Sequence, residues 1–184
     1  MLASRARPRT PRRRTLSNQQ EDMITSTKIL RALGAGAVAI TLANIVSNIL
    51  FFQLGHGILF ENDLQSPKVV AVLFEMDPLP LMFTNGLAYL GIAAVIGALH
   101  GLVFCWIEPA LPRDRLRRGA SFAVILWVLM AVYFEFHTPF NMFGEPAALV
   151  AVELVFWAMV TLVEGLALSY LYGESRHELA SAVG

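Results

Sequence analysis

The segment AALVAVELVFWAMVTLVEGLALSYLY, residues 147–172, decides the fold class of this chain. It carries only two charged side chains, Glu153 and Glu164, in an otherwise uncharged and mostly apolar run. A helix needs about 20 mainly apolar residues to cross the hydrocarbon core of a bilayer. Three further runs, 29–54, 81–107 and 119–136, meet this requirement, and the last is the shortest. The sequence therefore predicts four membrane-spanning helices.

The overall composition agrees with a membrane protein. Hydrophobic residues make up 56% of the chain and charged residues only 15%, whereas soluble domains carry about 25% charged residues. Every backbone polar group must be paired inside a bilayer, so each apolar run is predicted to be a helix. The predicted fold is an all-α, integral membrane four-helix bundle, and its first partner is the lipid bilayer.

A shorter helix is predicted in the loop between the first two spans. The segment SPKVVAVLFEMDP, residues 66–78, begins with Ser66 as a helix N-cap and Pro67 at the first helical position. It is too short to cross a membrane. We therefore expect an interfacial helix in the first outer loop.

The charges predict the orientation of the chain. Eight of the fourteen Lys and Arg residues lie in the first 31 residues, and four more lie in RDRLRR at 113–118. The loop at 53–80 holds one Lys against four acidic residues. The positive-inside rule then places both termini in the cytoplasm, in a plasma membrane such as a bacterial inner membrane. Residues 1–28 are predicted to form a basic, disordered tail, and residues 173–184 a second cytoplasmic tail.

The basic segment RARPRTPRRRTLSNQQ, residues 5–20, allows other interpretations. As a tail it would fix the topology and touch anionic lipid headgroups. The alternatives are a true start at Met23, a twin-arginine signal, or a mitochondrial presequence, which Pro8 and Pro11 disfavour.

Polar side chains lie at similar depth near the outer side of all four spans. Ionisable and polar groups within a bilayer are costly and usually face the bundle interior. Two pairs spaced four residues apart share a helix face, and two further side chains are predicted to close the layer from the outer loop. The predicted layer consists of Asn44, Asn48, Asn85, Tyr89, Glu135, His137, Asn141 and Glu153.

A second polar level is predicted nearer the cytoplasm. His100 on the second span and Glu164 on the antiparallel fourth span lie at matching depth, so they are expected to form a buried pair. In contrast, Glu145 in the segment GEP is expected to lie in an exposed outer loop, and to be less sensitive to substitution than Glu153.

Three functions are compatible with this pattern. The polar groups could be interhelical hydrogen bonds in an accessory or assembly subunit of a membrane complex. Alternatively, the protein is a conduit or binding protein for a proton or a small polar solute, for which four helices imply a homo-oligomer or a larger complex. The third possibility is a membrane-embedded metal or redox protein.

The metal hypothesis depends on a few ligand types near the outer side. Glu135, His137 and Glu153, with His56 from the outer loop, are ligands that iron, manganese or zinc accept. The spacing Glu-x-His differs from the Glu-x-x-His pairs of di-iron bundles. The sequence has no phosphate-binding glycine loop, no Gly-x-Ser-x-Gly and no His-Glu-x-x-His. It therefore indicates neither a soluble enzyme, nor a particular cofactor, nor a nucleic-acid partner.

Overall fold

The computed structural model describes the backbone of residues 12–173 and the side chains of residues 26–173. Within these residues the regular structure is helical, and four helices are long and apolar enough to cross a membrane. Their membrane-crossing parts are Ser26–Leu54, Gly86–Ala110, Arg115–Phe143 and Ala147–Tyr172. The prediction of an all-α, four-helix membrane bundle is confirmed, and the chain is a small polytopic membrane protein.

The first half of the chain forms one long helix and a helical loop. Helix α1 covers Arg12–Asn48 and continues as a π-helix over Ile49–Leu54, so the predicted tail boundary at residue 28 lies inside it. Residues 1–11 and 174–184 lie outside the described residues. The loop contains three short helices: α2 over His56–Leu59, α3 over Pro67–Val70 with a π-helical continuation over Ala71–Glu75, and α4 over Leu81–Thr84.

Helix α3 is the short helix predicted for the loop between the first two spans. The Ser66 hydroxyl accepts a hydrogen bond from the Lys68 backbone N–H at 3.3 Å, and Pro67 occupies the first turn. A proline costs little there because its missing N–H would have no partner within the helix. Ser66 is therefore the N-cap of α3, as the sequence predicts.

The second half of the chain forms three long helices. Helix α5 covers Gly86–Ile107, helix α6 begins over Arg115–Leu126, and helix α7 covers Ala147–Tyr172. Helix α6 continues through a π-helix over Trp127–Val132, one α-turn over Tyr133–Glu135, and a second π-helix over Phe136–Phe143.

Helix α6 differs from the sequence prediction, which ended it at residue 136 as the shortest span. Its membrane-crossing part reaches Phe143 and contains 29 residues, the same number as that of α1. The π-helical turn carries the chain past Pro139, although proline supplies no N–H to the helix. The chain turns only at Gly144, whose φ of 70° favours glycine.

Helix α1 packs against both α5 and α7, and α6 packs against α7. The α1–α5 contact is close because Gly36 faces Gly97, and a Cβ at either position would overlap the backbone of the other helix. Gly119 and Gly165 make an equivalent contact between α6 and α7. Small residues allow this close approach of membrane helices.

The two ends of the bundle have different chemistry. At the end that we call the arginine end, Arg118 is buried and donates to the Ser169 hydroxyl at 3.0 Å and to Glu108 at 3.3 Å. Its guanidinium also lies 5.8 Å from the centre of the Phe104 ring. The opposite end carries three buried carboxyl groups, and we call it the carboxylate end.

Candidate functional site

Three carboxyl groups meet at the carboxylate end of the bundle. Glu135, Glu145 and Glu153 each place one carboxylate oxygen so that the three oxygens lie within 4.8 Å of one another. The exposed fractions of the three residues are 2%, 2% and 6%. We call this group the carboxylate triad.

Each member of the triad comes from a different part of the chain. Glu153 lies in the second turn of α7, and Glu135 lies on the α-turn between the two π-helical stretches of α6. Glu145 follows the left-handed Gly144, and its backbone N–H donates to the Pro139 carbonyl oxygen at 3.0 Å. This turn directs Glu145 into the bundle although it lies outside the membrane-crossing helices.

Two side chains hold the triad in place. The Gln65 amide donates to Oε1 of Glu145 at 2.7 Å, and the Trp157 indole N–H donates to Oε1 of Glu135 at 2.5 Å. Ser66 fastens the same loop, because its hydroxyl donates to the Phe143 carbonyl oxygen at 2.5 Å. The loop between the first two spans and helix α7 therefore position carboxylates that α6 and its following turn supply.

The other oxygens of two triad members are left without a donor. Oε2 of Glu135 and Oε2 of Glu145 are buried and receive no hydrogen bond from a donor in the described part of the chain. The carboxyl group of Glu153 lies within hydrogen-bonding reach of both of these residues. A proton on Glu153 could satisfy one of the two oxygens, because a carboxyl group has a single O–H. A cation among the three groups could satisfy both.

The charges of the triad need compensation. Two carboxylates within 4.8 Å repel each other by at least about 3.5 kcal/mol at an effective dielectric constant of about 20. Within residues 26–173, Arg118 forms an ion pair with Glu108, and His56 and His100 lie beside Glu61 and Glu164; these contacts are all away from the triad. Burial raises the pKa of the Glu145 carboxyl above its ordinary value, and the hydrogen bond from Gln65 only partly offsets this.

The remaining residues of the predicted outer layer are dispersed. Tyr89 donates to Oδ1 of Asn44 at 2.7 Å and so joins α5 to α1. Asn48 accepts from Gln53 at 3.2 Å on the exposed surface. Asn85 caps α5 by accepting from the Ala88 backbone N–H at 3.0 Å.

The predicted histidine ligands lie away from the triad. The His137 ring stacks on Tyr133 with centroids 5.5 Å apart, and both His137 and Asn141 are exposed on the continuation of α6. His56 lies 3.4 Å from the exposed Glu61. Of the four predicted metal ligands, the structure brings together Glu135 and Glu153, and it adds Glu145.

The predicted inner pair lies deeper in the bundle. Nδ1 of His100 and Oε1 of Glu164 are 2.6 Å apart, and both side chains are largely buried. The triad and this pair are separate sites, because Glu153 and Glu164 are eleven positions apart on α7, or about 16 Å along the helix.

The expectation that Glu145 is exposed is wrong. Its burial follows from the Gly144 turn and from the contact with Gln65, which lies 80 residues away in the sequence. The roles of Gln65 and Trp157 at the triad were likewise not predicted from the sequence. A glutamate between Gly144 and Pro146, directly before an apolar run, was the available signal for Glu145; Gln65 had no comparable local signal.

Comparisons with protein-family models, with curated proteins and with solved structures give no match to this chain. The fold and the site define the class of this protein: it is a small polytopic membrane protein with a buried carboxylate triad at one end of its bundle.

Proposed function

We propose that this protein binds a divalent cation in the membrane, at the carboxylate triad. The observation that carries the proposal is the pair of buried oxygens without donors on Glu135 and Glu145, which lie beside Glu153. Unpaired buried polar atoms cost free energy, and a cation among them would remove that cost and the mutual repulsion together.

The donor atoms indicate which cations fit. All three candidate ligands are carboxylates, and His56 and His137 lie elsewhere. Carboxylate oxygens suit Mg²⁺, Ca²⁺ and Mn²⁺, whereas imidazole and thiolate ligands favour zinc and copper. The proposed ligand is therefore a hard divalent cation. Gln65 and Trp157 orient two of the ligating carboxylates without binding the ion.

The triad favours cation binding over a purely structural role in an accessory subunit. Hydrogen bonds between helices need one donor for each acceptor, as Tyr89 and Asn44 provide. Three carboxylates in mutual contact provide acceptors without donors. A second candidate, storage of shared protons, is favoured by the reach of Glu153 to both neighbours, and it is the alternative that the experiment separates.

The proposal includes an orientation. The positive-inside rule supports a plasma-membrane location with both termini in the cytoplasm. The triad then faces the outer side and the arginine end faces the cytoplasm. A reporter fused after Asp63 should be external, and one fused after Gly184 should be cytoplasmic. Four helices also favour a homo-oligomer or a larger membrane complex, which crosslinking in native membranes would detect.

Thermal unfolding in detergent tests the cation site. After treatment with a chelator, the protein is titrated with Mn²⁺, Ca²⁺, Mg²⁺ and Zn²⁺. A ligand that binds only the folded state adds about 2.7 kcal/mol at a concentration 100-fold above its dissociation constant. We expect a saturable rise in melting temperature with hard cations, a smaller one with Zn²⁺, and loss of the rise in Glu153→Gln.

The control is Glu75→Gln, which neutralises an exposed glutamate in the first outer loop. Glu75→Gln should respond to the cations like the wild type. If no divalent cation shifts the melting temperature, and Glu153→Gln is as stable as the wild type or more stable, the triad holds protons and the proposal is wrong.

A further inference from the structure

A cavity of about 370 Å³ lies in the membrane-crossing part of the bundle. Its wall includes Ala43 of α1 and Val160 of α7. Its exposed lining side chains are Ile92 and Ile96 of α5 and Met130 and Phe134 of α6, so we infer that its mouth lies between these two helices. We call this cavity the lateral slot. Pockets of about 300–1,000 Å³ are large enough to enclose much of a small ligand.

The slot is distinct from the carboxylate triad. None of the three glutamates lines the slot, and neither does Gln65; Trp157 contributes to both the triad and the slot. One helical turn beyond His100, Phe104 contacts the Phe122 ring at 5.1 Å, so α5 and α6 meet there. The slot is therefore a separation of α5 from α6 that ends toward the arginine end.

The wall of the slot is almost entirely apolar because its main polar side chains are paired. Tyr89 bonds to Asn44, and His100 contacts Glu164 at 2.6 Å. The Thr161 hydroxyl donates to the Trp157 carbonyl oxygen at 2.9 Å. These pairings leave few groups for a polar ligand, so the wall favours a hydrocarbon occupant over a polar solute.

The mouth of the slot is continuous with the apolar outer surface of the bundle. Ile92, Ile96, Met130 and Phe134 are all exposed, as is Val95, which faces outward from α5. Because α5 and α6 cross the membrane, this surface is in contact with acyl chains. A cavity beside it is close enough for a chain to enter, and filling it restores the dispersion contacts that an empty cavity lacks.

We propose that the lateral slot binds an acyl chain of a membrane phospholipid, and that the chain lies against the ring of Trp157. The occupant is a hydrocarbon chain because the wall of the slot is almost entirely apolar and its mouth opens to the bilayer interior. This site is independent of the proposed cation site and would stand if the cation site failed.

Fluorescence quenching by brominated lipid tests the proposal. The protein has three tryptophans, so Trp106→Phe with Trp127→Phe leaves Trp157 as the only emitter. The variant is reconstituted into phosphatidylcholine vesicles with brominated or ordinary acyl chains. Trp106, with 75% of its surface exposed, is the positive control when it is the only tryptophan. We expect the brominated chains to quench Trp157 to an extent comparable with Trp106.

Two variants test whether acyl chains reach Trp157 through the lateral slot. Ile92→Phe and Met130→Phe narrow the mouth from opposite sides, and both should protect Trp157 from quenching. Val95→Phe adds the same ring to the outward face of α5 and should leave the quenching unchanged. The proposal is wrong if Trp157 emits equally in both lipids, as it would with a second protein copy in the slot. It is also wrong if brominated lipid quenches Trp157 in Ile92→Phe and Met130→Phe as strongly as in Val95→Phe.

Discussion

The indole of Trp157 connects two features of the bundle. Its N–H donates to Oε1 of Glu135 at 2.5 Å, while its ring forms part of the wall of the lateral slot. The ring also packs against Phe51 of α1, with centroids 5.1 Å apart. The orientation of one triad carboxylate thus depends on packing within the helix core.

Removing this hydrogen bond should weaken cation binding. Trp157→Phe keeps an aromatic ring on the wall but leaves Glu135 without its donor. Loss of a group that orients a metal ligand typically costs about 10- to 100-fold in affinity. Titration calorimetry with Mn²⁺ would measure the change, and Trp106→Phe on the exposed surface is the matched control. Equal affinities in the two variants would show that the indole does not orient a ligand.

The stability of the cation-free protein should fall as the pH rises. Burial raises the folded-state pKa of Glu145 above its ordinary value of 4.5. The folded state therefore holds this proton more tightly than the unfolded state, and the advantage is lost as the pH rises above 4.5 through the folded pKa. Melting temperatures in the presence of chelator should show this decline, and Glu145→Gln should make it shallower.

A saturating divalent cation should reverse this pH dependence, because the cation requires ionised carboxylates. A melting temperature that rises with pH in the presence of chelator, or an unchanged slope in Glu145→Gln, would contradict the burial of an ionisable triad.

His100 and Glu164 should be energetically coupled. Breaking a buried ion pair by removing one partner costs about 3–5 kcal/mol, whereas removing both leaves no stranded charge. His100→Gln with Glu164→Gln should therefore destabilise the protein less than the sum of the single changes, by about 0.5–3 kcal/mol. Thermal unfolding of the four proteins measures the cycle, and strict additivity would mean that the pair does not interact.

The close contact of α1 with α5 should not tolerate a methyl group. A Cβ at Gly36 would overlap the Gly97 carbonyl oxygen, whereas Gly34, on the same helix, has nothing within 4 Å of its Cβ position. Overpacking of this kind costs about 1–3 kcal/mol. Gly36→Ala should lower the melting temperature in detergent and Gly34→Ala should not. Equal melting temperatures of the two variants would contradict the close approach of α1 and α5 at Gly36.

The fold was predictable because membrane physics leaves few alternatives. Apolar length alone located the four helices, and Ser66 with Pro67 located α3. The end of α6 was not predictable from Pro139, because a proline signals a break and gives no indication that a π-helical turn will continue the helix.

The candidate site was only partly predictable. The fixed rise of a helix gives the depth of a residue within a span, and this was enough to predict that His100 and Glu164 lie at the same depth. It gives no position for residues in loops. Glu145 and Gln65 meet through a contact between two loops, and neither carries a periodic signal. Histidine is a common metal ligand, so composition favoured His137, whereas the helix places that side chain on the outer surface.

Direct measurement of Mn²⁺ binding tests the central claim most closely. Free Mn²⁺ gives a sharp electron paramagnetic resonance signal that is lost when the ion binds to a protein, so the signal counts bound ions at equilibrium. We predict one bound Mn²⁺ per chain in the chelator-treated wild type and in Glu75→Gln, with displacement by Ca²⁺ or Mg²⁺. Glu135→Gln, Glu145→Gln and Glu153→Gln should each leave most of the ion free. An undiminished signal with the wild-type protein, or binding by the three triad variants that equals binding by the wild type, would contradict the account.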